Sequence, residues 1–327
     1  MQSWRNGPVA FLFPSESNSW VSILQFGLGL QIVLYSLALA SDWNYLLSAT
    51  GTGLVSRDLA EGMVSLESRF VPRLSWIISI GQYFGLSEQT MLSFAWICLL
   101  CSGCFLLVGF LSRPMAVLAW FFHTAATKSG GLISYGMDSF TTIGLFYLMI
   151  VPLPVPYSLD WRLRKLRPKY PQLAGFFRRA LQLHLSVAYF FSGLTKCLGR
   201  GWWNGSNLWR ALTRQPFNMI APELLVKLKY LFPVMGIAVC LLEIAYPIFM
   251  WNKKTRLIWL SSICAMHIGI GIAMGMYLFA LIMIVLNLAA FVPELCSRSG
   301  QIATRQAFRA LSFVHRAKIA PDRNRHK

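Results

Sequence analysis

The chain has 327 residues, of which 56% are hydrophobic and 13% charged. So much apolar surface excludes a single water-soluble domain, in which about a quarter of residues are charged. A net charge of +18 admits nucleic acid as a partner, yet the Lys and Arg residues stand mostly between apolar runs, as in basic loops held at the cytoplasmic face of a membrane, so no nucleic-acid partner is expected.

Residues 1–19 form an N-terminal segment. Apolar runs long enough for a helix to cross about 30 Å of hydrocarbon follow at 20–41, 89–111, 114–133, 137–153, 178–198, 232–251, 256–275 and 276–293. The sequence therefore predicts an all-α polytopic transmembrane bundle of about eight spans over 20–293, an integral multi-pass protein expected in a bacterial cytoplasmic membrane. A basic cytoplasmic tail, 294–327, follows. Leu37-Ala-Leu-Ala40 before Ser41 has the small-x-small form of a signal cleavage site, but the run from Trp20 exceeds a signal's apolar stretch and only Arg5 precedes it as a basic residue. It is expected to be retained as the first span.

The stretch Leu74 to Leu86 is apolar but short, which suits the interface or a re-entrant segment. Residues 256–293 make one run nearly twice a bilayer crossing, and Gly269, Gly271 and Gly275 allow a tight turn near Met274 to Tyr277. With both termini in the cytoplasm, 20 of the 30 Lys and Arg residues lie on that side. Cys98, Cys101, Cys104, Cys240 and Cys264 lie inside apolar runs as small hydrophobes and supply no disulfide framework.

An ionisable residue within a span costs about 2.5–3.5 kcal/mol on insertion scales, so each needs a partner or a purpose. His184, Lys196, Glu243 and His267 qualify, with Asp138 and Lys128 at the outer ends of their spans. Lys196 falls near the outer end of the fifth span. There it either snorkels to headgroups or, partly desolvated, serves as a base. Tyr189, Ser192 and Lys196 share one helix face, and an aromatic outer loop with Trp202 and Trp203 follows. Glu243 and His267 both fall near mid-membrane and can meet, as a satisfied structural pair or as a proton path or substrate contact. His123 and His184 read as histidines bonded to a neighbouring carbonyl or hydroxyl. No H-E-x-x-H, G-x-S-x-G, phosphate-binding loop or metal-spaced cluster occurs in the sequence.

The stretch Ala188-Tyr-Phe-Phe-Ser-Gly-Leu-Thr-Lys-Cys-Leu-Gly-Arg-Gly-Trp-Trp-Asn-Gly205 resembles the Y-x-x-(S/A)-G-x-x-K and W-x-x-G motifs of the HTTM family, the membrane domain shared with vitamin K-dependent gamma-carboxylase. Tyr157-Ser-Leu-Asp160, Glu243-Ile-Ala-Tyr-Pro247 and His267 followed by Gly275-Met-Tyr-Leu-Phe279 agree in order, so the likeness covers most of 20–293. It implies Lys196 as the base that deprotonates a vitamin K hydroquinone-like quinol. Two departures stand out. The family's Asn-His-Ser is replaced by Met137-Asp138-Ser139, and the large lumenal domain that presents glutamates is not expected here.

Two readings follow. In the first the protein is a quinol-dependent carboxylase or oxidoreductase, with Lys196 as base, Asp138 or His267 assisting, Glu243 organising the cavity, and Tyr189, Ser192, Trp202 and Trp203 holding the quinol. In the second it is a non-catalytic lipid- or peptide-binding maturation or export factor on the same fold. Expected partners are the bilayer, a quinone-like lipid and a separate soluble or peptide partner at the outer face.

Overall fold

The computed structural model describes residues 7–15, 19–49, 55–131, 134–152, 155–164 and 170–293, and the expected basic tail lies outside them. Every regular element among the described residues is helical. In chain order these are α1 (Pro8–Leu12), α2 (Ser19–Ala38), α3 (Trp43–Leu47), α4 (Arg57–Glu67), α5 (Leu74–Tyr83), α6 (Glu88–Val108), α7 (Ser112–Ser129), α8 (Gly136–Ile150) and α9 (Leu159–Arg164). Then come α10 (Pro171–Leu198), α11 (Arg200–Trp203), α12 (Ser206–Thr213), α13 (Pro222–Leu228), α14 (Phe232–Ile244), α15 (Tyr246–Trp251), α16 (Arg256–Met274) and α17 (Tyr277–Pro293).

Among the described residues four rods are long and apolar enough to cross a membrane: α2, α6, the continuous stretch Pro222–Ile244, and α16. Helices α8 and α17 are apolar but shorter over the described residues. The long helix α10 begins with Pro171, whose missing N–H is harmless in a first turn, so it starts seven residues before the expected run at 178. The sixth run is not one helix. It breaks at Ala245, because Pro247 has no N–H to return to the Glu243 carbonyl, and α15 resumes at Tyr246. The run 256–293 turns back at Gly275, whose φ of 70° suits a residue without Cβ.

The long helices lie side by side around one apolar core that includes Trp20, Leu24, Leu28, Leu99, Leu145 and Phe291. Close crossings rest on small residues, as is usual where lipid supplies no hydrophobic drive between helices. A Cβ at Gly29 would stand 2.7 Å from the backbone nitrogen of Leu107, and one at Gly103 would stand 3.1 Å from that of Val33, so α2 and α6 meet at backbone distance.

Polar ties then fix the two ends. At one end Ser22 donates to Pro156 O (2.7 Å), Arg113 to Val151 O (2.9 Å), and Asp160 accepts from the Ser112 backbone N–H (2.9 Å), closing the start of α7. At the other, Arg57 bridges Leu47 O and Glu88 (2.6 Å), while Glu61 accepts from Ser129 Oγ (2.6 Å) and Ser75 N (3.2 Å). The stretch expected at the interface forms α5, which buries Leu74, Ile78 and Gly81 and leaves Trp76, Ile80 and Tyr83 exposed.

Candidate functional site

The local sequence explains how the site is assembled. On α10, Tyr189, Ser192 and Lys196 recur at helical spacing, and Gly193 sits among them. A Cβ on Gly193 would lie 2.4 Å from the Ile244 backbone nitrogen, so α10 reaches the backbone of α14 at the level of Glu243. That approach lets Lys196 Nζ donate to Glu243 Oε2 at 2.5 Å and to Ser192 Oγ at 2.6 Å. The ammonium also stands 5.5 Å over the Trp202 ring, within the range of a cation–π attraction. The Lys196 side chain is 20% exposed and that of Glu243 8%, so the pair is largely withdrawn from solvent.

A second chain of hydrogen bonds runs beside it. Asn287 Nδ2 donates to Met283 O (2.8 Å) and to Tyr189 Oη (2.9 Å), and its Oδ1 accepts from Tyr246 Oη at 2.7 Å. Tyr189 Oη lies 2.7 Å from His267 Nε2. Tyr189 Oη accepts from Asn287 and pairs with His267 Nε2, which accepts the phenol proton in the tautomer whose neutral ring carries its own proton on Nδ1. That Nδ1 is buried and has no hydrogen-bond partner among the described residues. The Tyr189 and Tyr246 rings stack at 4.3 Å, and the edge of Phe279 holds the imidazole from the other side.

These groups open on a cavity of about 260 Å³, lined by Tyr189, Ser192, Lys196, Glu243 and His267 on its polar side. Phe140, Val239, Ile270, Phe279 and Met283 make the rest apolar, and Trp202, Leu208 and Ala211 of α11 and α12 roof it. A volume near the lower end of ordinary small-molecule sites, about 300 Å³, suits one ring-sized head group. Next to it, sharing Met274, lies a second cavity of about 550 Å³ lined by Tyr135, Phe217, Met219 and Gly275 among others.

Of the residues singled out in the sequence, Lys196, Glu243, His267, Tyr189, Ser192 and Trp202 come together here. The expected meeting of Glu243 with His267 is replaced by two neighbouring pairs, Lys196 with Glu243 and Tyr189 with His267. Asp138 does not line this cavity. One of its oxygens accepts from the Tyr135 N–H at the start of α8 (2.8 Å), and the other lies 3.5 Å from His123 Nε2 on α7. Trp203 also points elsewhere, donating to Cys197 O at 2.7 Å with nearly half its surface exposed. His184 packs near Tyr147, with ring centroids 6.3 Å apart.

Sequence reasoning missed Tyr246 and Asn287. The only amide in the apolar run 276–293 was the available cue, since an amide inside lipid must find partners. Among the described residues no group of His, Cys, Asp and Glu has a metal-holding arrangement. Compared with known proteins, the chain matches no family model, no curated protein and no solved structure, so the likeness to the HTTM family stands on its motif residues.

Proposed function

We propose that the protein is a multi-pass membrane enzyme that binds the ring of a quinol-like lipid in the α10–α14–α16–α17 cavity and removes a proton from its hydroxyl. The reading extends to eight crossings with both ends of the chain in the cytoplasm of a bacterial cell, which puts the Lys196 end of the bundle outward. The observation that carries it is the pairing of a largely buried amine and carboxylate with a ring-sized, mainly apolar chamber. As in the HTTM-like motif, Lys196 is the base. It acts when Glu243 holds the proton the two share: the quinol O–H bond breaks, a new N–H bond forms on Lys196, and the electron pair stays on the quinol oxygen. The Nδ1 proton of His267 then suits an anionic or carbonyl oxygen on the ring. In the oxidoreductase reading the quinolate gives two electrons to an acceptor such as dioxygen, which takes up the two hydroxyl protons as hydrogen peroxide while the quinol becomes the quinone; in the carboxylase reading a peptide substrate would come from a separate partner at the outer face.

The test is turnover of a naphthoquinol by protein purified into nanodiscs, compared with Lys196→Ala. Loss of quinol consumption in the variant, with quinol still bound, supports the reading. Equal consumption by both proteins overturns it. One observation favours a second, non-catalytic reading as a lipid-head receptor: Lys196 already has Glu243, Ser192 and Trp202 as company. Tight quinone binding with no turnover under any condition would select it. Orientation is checked by labelling single cysteines placed at Phe84 and Lys253, which should react from outside and inside respectively.

A further inference from the structure

The α10–α14 interface carries a pair of thiols that the proposed chemistry does not use. Its register follows from three contacts. Gly193 meets Ile244 at backbone distance, and Lys196 reaches Glu243. One turn further, a Cβ on Gly236 would lie 2.1 Å from the Trp202 carbonyl oxygen, so α14 is again at backbone contact with the chain that continues α10. Cys240 lies one helical turn from Gly236 and one from Ile244, midway between those contacts. Cys197 lies one turn from Gly193 on the same face of α10. In antiparallel helices, advancing four residues on one and retreating four on the other brings these two positions opposite each other. The Cys240 thiol accordingly has that of Cys197 as a hydrogen-bonding neighbour.

We propose that Cys197 and Cys240 are an oxidisable dithiol that closes to a disulfide between α10 and α14, next in the chain to Lys196 and one turn from Glu243. Bridging needs Cα atoms about 4.4–6.8 Å apart, which facing positions of closely packed helices reach, because each Cα stands about 2.3 Å off axes that lie about 8–10 Å apart. Both thiols are reduced in this structure, with Cys240 buried and Cys197 half-buried near the end of α10. That asymmetry orders the reaction. The Cys197 thiolate attacks a disulfide oxidant such as oxidised glutathione, forming a mixed disulfide and releasing one glutathione thiolate. The Cys240 thiolate then attacks the Cys197 sulfur and expels the second. Two thiols lose two protons and two electrons, and one oxidant disulfide becomes two thiols. The bridge ties together the two helices that carry the amine and the carboxylate, whatever the cavity holds.

The experiment treats full-length protein in nanodiscs with oxidised glutathione or diamide, blocks remaining thiols after denaturation, and maps peptides by mass spectrometry. The expected result is a 197–240 crosslink, loss of two blockable thiols, reversal by dithiothreitol, and absence of the crosslink in Cys197→Ser and in Cys240→Ser. Full blocking of both cysteines after oxidation, or crosslinks only between other positions, overturns the proposal. Quinol binding and turnover are not part of the readout, so this can fail while the proposed function stands, and the reverse.

Discussion

The Lys196–Glu243 pair gives the sharpest energetic test. At 2.5 Å and an effective dielectric of about 20, the gross attraction is about 7 kcal/mol, most of it offset by withdrawing two charges from water. Removing one partner leaves the other stranded, and the structure says which loss is worse. Lys196→Met strands a carboxylate that is only 8% exposed, whereas Glu243→Leu leaves an amine 20% exposed, with Ser192 and the Trp202 ring still beside it. We expect about 3 kcal/mol for Lys196→Met, about 2 kcal/mol for Glu243→Leu, and only about 1 kcal/mol for the double variant, because an apolar pair of similar volume is tolerated where a single charge is not. The coupling is then about 4 kcal/mol, read from a double-mutant cycle of reversible unfolding in mixed micelles. Additive single effects within about 0.5 kcal/mol, as at exposed ion pairs, would refute the view that this pair is sequestered at all.

Other outcomes follow from the same coordinates. Tyr189→Phe leaves His267 Nε2 without its partner and takes the acceptor from one of the two Asn287 Nδ2 protons, the other staying on Met283 O, and should cost about 1–3 kcal/mol, more than Tyr246→Phe, which affects only Asn287 Oδ1; thermal unfolding of the two variants checks the order. Gly193→Ala drives a Cβ into the Ile244 backbone and should destabilise by about 1–3 kcal/mol. Gly269→Ala, with nothing among the described residues within 4 Å, should gain up to about 1 kcal/mol from helix propensity in the same unfolding assay. Asp160→Ala removes acceptors for the Ser112 N–H and hydroxyl and should cost about 1–2 kcal/mol, seen first as faster amide exchange at the start of α7.

The helices were legible because lipid imposes a length and a composition on any segment that crosses it, and the turn at Gly275 was marked by a residue tolerant of positive φ. Lys196, Ser192 and Tyr189 could be grouped from helical spacing alone. Partner choice between helices was not legible. Depth along the chain put Glu243 and His267 at one level, but rotation about each helix decides who touches whom. The close approach at Gly193 turned Glu243 toward Lys196. Asp138 shows the same dependence on packing: an acid at the start of a span can serve chemistry or the helix end, and here it accepts from the Tyr135 N–H at the helix start and faces His123. The break at Ala245 was visible in principle, since Pro247 stands in the sequence, though the apolar run hid it.

The modest length of α8 bears on how the molecule meets its surroundings. Its 15 residues rise about 22 Å, short of a hydrocarbon layer of about 30 Å. It stands beside α17, with the Phe140 and Phe279 ring centroids 6.5 Å apart. In the proposed arrangement the lipid beside α8 has to thin, or headgroups and water have to reach down to its ends, at a cost of fractions of a kcal/mol per ångström. A greasy ring and a hydrophilic reactant would then be separated by less hydrocarbon there than along the longer helices α2 and α6.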